Sequence, residues 1–285
     1  MPLDGFSEWL RAVERDIDPA AKMAQFLQTE FTNARPDPWQ VEAITSDAQT
    51  VALLVCRQAG KSCVLATRGV RELERGGTTI CLAPAERQTR EITRKVTQYL
   101  RCTDLVIERA TQSEIETDNG GRFIAVPASG ATIRGYTADL LLVDEMAYLP
   151  GHNAGEDVVV ALLPMLKDDG QTFYASTPAG KNNMFAQLFL DAKPEDGIHR
   201  IKVPGTSIPR LAARVERLRK QLSATRFKQE VECQFLTDGQ AYFDLAVIEA
   251  ATSLKGAVCP KLCTSSNAAT EQSPMTQVAT QLLRG

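Results

Sequence analysis

The chain has 285 residues, 44% of them hydrophobic, and a formal net charge of −3 at pH 7. That is enough for one large or two modest domains with a real core, and too acidic for a global basic field to recruit nucleic acid, so any DNA contact must come from local patches. Seven scattered cysteines and no basic-then-apolar leader read as reduced thiols in a cytosolic protein; two histidines argue against a His-rich metal site, and the longest apolar stretch, Val158–Leu166, contains Pro164 and is too short to span a bilayer.

Residues 7–33 read as helical. Leu10, Val13 and Ile17 recur at helical spacing, Pro19 interrupts, and Met23, Phe26 and Leu27 resume the pattern of a packing helix. Arg35-Pro-Asp-Pro-Trp-Gln40 is a proline-stiffened turn into a short helix, Val41–Asp47. Val51–Val55 is an apolar, β-branched strand that stops at a polar turn ending in Gly60-Lys61-Ser62, and a helix follows from Cys63 to about Arg75. Strand, Gly-Lys-Ser turn and helix make the layout of a phosphate-binding loop, whose backbone N–H groups and helix N-terminus point at phosphates. In that layout Lys61 neutralises β/γ charge and the Ser62 hydroxyl ligates Mg²⁺. The usual first glycine, five residues before Gly60, is Val55 here. On its own this stretch also fits an ordinary strand-to-helix turn.

Thr78–Leu82 reads as a second strand and Ala85–Leu100 as a long helix. Arg87, Arg90, Arg94 and Arg101 lie near one face of it, which is either a solvated face or a DNA-backbone contact. Residues 105–126 read as strand and hairpin, with Asn119-Gly120 as the turn. A Gly-punctuated loop, Pro127–Gly135, leads to Leu140–Val143, a continuous apolar run expected of a strand buried on both faces. It ends in Asp144-Glu145. Residues 156–167 read as helix, Thr172–Ala175 as a short strand ending in Ser176-Thr177-Pro178, and Asn183–Ala192 as helix. Beyond Pro204 the chain turns helical and charged, over Arg210–Gln221 and Thr225–Phe235, and residues 252–285 read as a poorly ordered or weakly helical tail.

Strand–helix repetition predicts a parallel α/β sheet, which places ligands at the carboxyl ends of its strands. Three such ends carry chemistry: Gly60-Lys61-Ser62, Asp144-Glu145 and Ser176-Thr177. Asp144 suits Mg²⁺, Glu145 suits the general base that polarises a water, and Ser176 and Thr177 suit hydrogen bonds to the γ-phosphate or that water. Each pair alone is an ordinary turn; their conjunction, in this order, predicts a nucleotidase.

These residues resemble a family, the ATPase domain of the large terminase subunit of tailed bacteriophages, the motor that packages DNA into procapsids. The matching pieces are Pro38-Trp39-Gln40, Cys56-Arg-Gln-Ala-Gly-Lys-Ser62, Ile133-Arg134-Gly135, Leu141-Leu-Val-Asp144-Glu145, Tyr174-Ala-Ser-Thr-Pro-Ala-Gly180, Phe227–Phe235 and Tyr242-Phe243-Asp244. The resemblance implies a RecA-like P-loop NTPase, a parallel sheet flanked by helices. Residues 1–50 would be a helical N-terminal segment, 51–205 the ATPase core, 206–250 a helical lid and 251–285 the tail. It implies ATP and Mg²⁺. Gln40 would read the adenine edge with Trp39 packing beside it, and Arg57, Gln58, Ala59, Gly60, Lys61 and Ser62 would cradle the phosphates. Arg57 would face the γ-phosphate, Ser62 and Asp144 would hold Mg²⁺, and Glu145 would activate water. Ser176, Thr177 and Pro178 would couple hydrolysis to domain motion, and Arg134 would reach a neighbouring subunit's ATP. Cys56 would lie close to the phosphates, so that alkylation inhibits and ATP protects.

The partners the resemblance implies are double-stranded DNA, a terminase small subunit, portal and procapsid, and further copies of the chain in a ring. It implies no membrane and places the chain in the cytoplasm of the bacterial host rather than in the virion. Large terminases usually add a nuclease domain; the family-like part here stops near Ala251, so the expectation is ATPase chemistry without DNA cleavage, from a truncated prophage gene, a frameshifted end or a fragment. Cys259 and Cys263 have no second Cys or His pair to complete a zinc site. Two other readings stay open: a helicase-like DNA-dependent ATPase, and a prophage remnant that binds nucleotide without turnover.

Overall fold

A computed structural model of the chain describes residues 19–31, 34–128, 135–151 and 156–236. Among the described residues the sheet has eight strands. They are β1 (Thr50–Val55), β2 (Thr78–Ala83), β3 (Ile107–Ala110), β4 (Glu114–Thr117), β5 (Arg122–Pro127), β6 (Ala138–Asp144), β7 (Leu166–Ser176) and β8 (Ile198–Val203). Their order is β3-β4-β5-β2-β6-β7-β1-β8. From β5 to β8 every pairing is parallel, while β3–β4 and β4–β5 are antiparallel. The sheet is therefore mixed, with a hairpin turned by Asn119-Gly120 appended to one edge of a parallel core. Asn119 anchors that turn by donating its amide to Leu73 O at 2.8 Å.

The central strands are apolar because neither face meets water: Val51 to Val55 and Leu140 to Val143 are all buried. Helices flank the sheet: α1 (Pro19–Gln28), α2 (Pro38–Ile44), α3 (Lys61–Glu74), α4 (Glu86–Leu100), α5 (Glu156–Leu162), α6 (Met184–Leu190), α7 (Ala212–Gln221) and α8 (Ala224–Glu230). In α3 every residue from Cys63 to Val70 is buried, as expected of a helix enclosed on all sides. Gly69 lets α3 close on β5, since a Cβ there would lie 2.9 Å from the Phe123 ring. In α4 burial recurs at Thr89, Ile92, Thr93, Val96, Tyr99 and Leu100, which is one helical stripe. The opposite stripe is the solvated face: Arg90 pairs with Glu86, and Arg94 with Glu91, within the helix. Such exposed pairs contribute about 0.5 kcal/mol at most.

Pro38 opens α2, where the first helical turn has no use for the missing N–H, and Pro19 is the first described residue of α1. The first part of the expected N-terminal helix lies outside the described residues. The α1 helix is clamped to the domain: Phe26 stacks on Tyr99 with centroids 4.9 Å apart, Lys22 pairs with Glu74, and Glu30 binds both Lys95 and the Tyr99 hydroxyl.

One strand escapes the sequence reading. Ile198-His-Arg-Ile-Lys-Val203 is β8, an edge strand paired with β1 along its whole length. Only Ile201 and Val203 of it are buried, so a half-exposed edge leaves just two buried apolar residues at a spacing of two as signal. Strand β7 also begins six residues earlier than its apolar run: Leu166 pairs with Ala138 of β6, and after an irregularity the register resumes with Gln171 opposite Leu140.

Candidate functional site

In the order of strands, β7 separates β1, which carries the phosphate loop, from β6, which carries the carboxylates. Their carboxyl ends meet around one cavity of about 850 Å³. The loop turns by placing two residues in the left-handed region, Gln58 at φ 62° and Gly60 at φ 101°. Glycine is required at 60 twice over. Its φ is unfavourable for any Cβ, and a Cβ would fall 2.6 Å from Gln40 Nε2.

Lys61 and Ser62 start α3 and line the cavity, as do Gln58, Asp144 and Glu145. Lys61 donates to Glu145 Oε1 at 2.8 Å. Glu145 is itself left-handed, φ 48°, a geometry that costs a non-glycine residue about 1 kcal/mol or more and clusters at functional sites. Its N–H donates to Asp144 Oδ1 at 3.0 Å. Its other oxygen, Oε2, accepts from Ser176 Oγ and from the Thr177 N–H, both at 3.4 Å. One carboxylate thus touches the phosphate loop and the end of β7 together. Ser176 and Thr177 are fully buried. Pro178 accepts at its carbonyl from the Tyr148 hydroxyl at 3.1 Å and from Gln229 Nε2 of α8 at 2.9 Å.

Asp144 is the frustrated group. Burial pushes its carboxyl up to about 6, against the opposing pull of Lys61. A buried carboxylate short of positive charge is the chemistry that a divalent cation relieves. We therefore expect Asp144→Asn to raise the thermal midpoint of the ligand-free protein at pH 7, by about 1–2 kcal/mol of stability. A folded-state value raised above the unfolded one contributes stability at low pH that is lost as pH rises through about 6. The advantage of Asn over Asp should accordingly shrink as pH falls from 7 to 5. Thermal melts of both proteins across that range check it; a constant difference would contradict the assignment.

Gln40 and Arg57 line the cavity as well. Gln40 is 2% exposed, and its Oε1 accepts the Asp37 N–H at 2.8 Å while its Nε2 reaches Gly60 O at 3.5 Å. Its acceptor caps α2 and its amide braces the loop, and the residue lines the cavity. Trp39 belongs to the hydrophobic core, not to the cavity wall. Arg57 lines the cavity, but its guanidinium is in ion contact with Glu230 of α8 at 2.7 Å, at an angle that is not that of a hydrogen bond. Arg134 lies outside the described residues.

Cys56 does not face the phosphates. It is buried, and lines a second cavity of about 350 Å³ between the loop and helices α7 and α8. Burial pushes its thiol up to about 11, offset in part by Lys61 and Arg210. Among the described residues the thiol that lines the cavity with Lys61 and Ser62 is Cys63. Among the cysteines in the described residues, mass-spectrometric alkylation should label the half-buried Cys102 first, and nucleotide should protect Cys63 but not Cys56; protection of Cys56 would place it at the cavity.

A family model described as terminase large subunit, T4likevirus-type, N-terminal, matches residues 52–249. The chain belongs to this family. Among solved structures, the ATPase domain of the Thermus phage P74-26 large terminase is similar at 20% identity and a TM-score of 0.60, over 73% of this chain and 96% of that one. The HK97 bacteriophage large terminase is similar at 14% identity and a TM-score of 0.61, over 76% of this chain and 55% of that one. The large terminase of a thermophilic bacteriophage, in complex with ATP-gamma-S, is similar at 14% identity and a TM-score of 0.57, over 70% and 52%. This chain thus spans about half the length of the latter two proteins. At these identities the likeness carries the fold, a RecA-like α/β domain. No curated protein matches the chain.

Two contacts of this terminase chain had no signal in its sequence. Arg210, just before α7, donates to Asp37 Oδ2 at 2.7 Å and to Ala59 O at 2.5 Å. Glu230, at the end of α8, takes Arg57. The region after β8 thereby grips both shoulders of the phosphate loop. Both are common charged residues on helical segments; only their partners, some 170 residues away in each case, single them out.

Proposed function

We propose that the chain hydrolyses ATP with Mg²⁺ and, as the motor of a terminase large subunit, couples hydrolysis to translocation of double-stranded DNA into a procapsid. The observation that carries this reading is Glu145, held between Lys61 on the loop and Ser176-Thr177 at the end of β7, beside buried Asp144. ATP-gamma-S and ADP in the complexes of the thermophilic bacteriophage's large terminase support a nucleotide in a domain of this fold.

Ser62 and Asp144 would hold Mg²⁺, which supplies charge neutralisation at the phosphates. Lys61 and the loop's N–H groups bind the β/γ-phosphates. Phosphate competes with Glu145 for Lys61, so binding releases the carboxylate. Glu145 then takes a proton from a water whose oxygen bonds to the γ-phosphorus as the bond to the ADP oxygen breaks. Ser176 and Thr177, already bonded to Glu145, register that change, and Pro178 passes it to α8 through Gln229. Arg57 would leave Glu230 for the γ-phosphate. Arg134, acting from a neighbouring copy in a ring, would complete the site. The small subunit, portal and procapsid belong to this same reading, as does the cytoplasm of the bacterial host; among the described residues no helix is long and apolar enough to cross a membrane.

The reading gives the chain no nuclease chemistry. Steady-state phosphate release from the pure chain, with and without DNA and procapsid, tests the proposal. Turnover with Mg²⁺, stimulated by procapsid, supports the motor. Absence of turnover at high protein concentration overturns it, and metal-dependent plasmid nicking overturns the exclusion of a nuclease.

A further inference from the structure

Tyr148 closes the short 3₁₀ turn Met146–Tyr148 that follows Glu145, and its side chain is partly exposed. Its contacts make it more than a surface aromatic. Its backbone N–H donates to the Glu145 carbonyl at 2.8 Å, so the ring springs from the turn that gives Glu145 its left-handed backbone. Its hydroxyl ends at the tip of β7. There it donates to Pro178 O at 3.1 Å and accepts from Thr177 Oγ1 at 3.4 Å. A phenol carries one proton and accepts as well as donates, so both bonds form together. One stiff side chain thus ties the backbone of Glu145 to Pro178.

Helix α8 meets the core at the same point. Gln229 donates its amide to Pro178 O at 2.9 Å, so one carbonyl of a buried residue takes one donor from the Glu145 turn and one from α8. The adjacent Glu230 is in contact with Arg57 at 2.7 Å. Burial opposes the charge of Arg57, but Glu230 and then Tyr148 outweigh it and hold the guanidinium pKa up. Glu145 therefore has two routes to α8. One runs from its carboxylate through Ser176 and Thr177. The other runs from its backbone through Tyr148.

We propose that Tyr148 is a positioning residue whose hydroxyl transmits a shift of the Glu145 turn to α8 through the Pro178 carbonyl that it shares with Gln229. The inference rests on the reading of the cavity as an ATP site. When phosphate takes Lys61 from Glu145, the turn relaxes and the phenol moves with it. A carbonyl drawn towards one donor loosens its bond to the other, so the position of α8 and that of the catalytic carboxylate depend on each other. Tyr148 itself touches no substrate; it acts through Glu145 and Pro178.

The test compares the full-length wild type with Tyr148→Phe, which removes the hydroxyl and keeps the ring. ATPγS with Mg²⁺ is titrated into each, hydrogen–deuterium exchange of α8 and of the phosphate loop is followed with and without it, and kcat and KM for ATP are measured. Tyr148→Phe is expected to leave the ATPγS Kd and the KM within about twofold of wild type and to lower kcat about tenfold. The exchange change that ATPγS causes in α8 should be lost, while protection of the phosphate loop stays. Gln229→Leu should behave alike, and the double variant should lose no more than the worse single one. An α8 response that survives Tyr148→Phe, or a wild type whose α8 does not respond to bound ATPγS, overturns the inference and leaves the ATP site standing. So does an unchanged kcat, or a loss of affinity that matches the loss of kcat, which marks a structural contact. Exchange reads the relay even in a chain that turns nothing over. Failure of the wild type to bind ATPγS overturns the ATP site, and the inference with it.

Discussion

Glu145→Gln is expected to keep nucleotide affinity and to lower steady-state ATP turnover by roughly a hundred- to ten-thousandfold, the usual contribution of a positioned general base. The substitution is nearly isosteric, so the left-handed backbone at φ 48° and the N–H bond to Asp144 Oδ1 survive it. An amide oxygen still accepts from Lys61, but without charge. In the wild type, phosphate must displace a carboxylate from Lys61 that sits 2.8 Å away; in the variant it displaces a neutral group. Binding should therefore hold or tighten while the proton acceptor is gone. A titration with ATPγS beside a phosphate-release assay separates the two effects. Turnover within tenfold of wild type would move the base to another residue, and the bonds from Ser176 and Thr177 to Glu145 would then be structural alone.

The parts of the site that could be read from the sequence are those whose signal is local. A strand buried on both faces announces itself by an unbroken apolar run, and Val51–Val55 and Leu140–Val143 each do so just before their functional groups. The αβ order then forces those ends to one rim. What could not be read depends on pairing at a distance. Gln40 sits where an adenine reader was expected, but Asp37, three residues earlier, lies at the start of α2, and a glutamine at the third helical position serves that N-terminus first. Cys56 adjoins the loop in sequence, yet the loop's left-handed turn at Gln58 comes after it, so Cys56 stays with β1, its N–H bonded to Val203 O of β8 at 3.1 Å. The expectation for Cys56 came from treating a neighbour in sequence as a neighbour around the cavity. Strand β8 was missed for the opposite reason: its partner β1 is an unbroken apolar run, while β8 itself interleaves His199, Arg200 and Lys202 with its apolar residues.

Lys61→Ala should weaken ATPγS binding by a hundredfold or more, and its cost to the folded protein should depend on pH. The side chain of Lys61 is 8% exposed and its partner carboxylate, on Glu145, is 22% exposed. Removing the cation leaves Asp144 and Glu145 side by side at the end of β6. Breaking a buried pair from one side costs about 3–5 kcal/mol, and the exposure of Glu145 brings that to roughly 1–3 here. Lys61 is what holds the Asp144 carboxyl down against burial; without it that carboxyl rises further above its unfolded value. Stability tied to a raised carboxyl is present at low pH and lost as pH rises. The deficit of Lys61→Ala should therefore be largest near pH 8 and shrink towards pH 5. Combining it with Asp144→Asn separates charge from packing. If the deficit is electrostatic, the double variant should recover most of the stability at pH 7 while nucleotide binding stays lost, an interaction well beyond additivity. A double variant as unstable as the sum of the singles would place the cost in the lost packing of the lysine stem, and ATPγS binding at wild-type affinity in Lys61→Ala would remove Lys61 from the site.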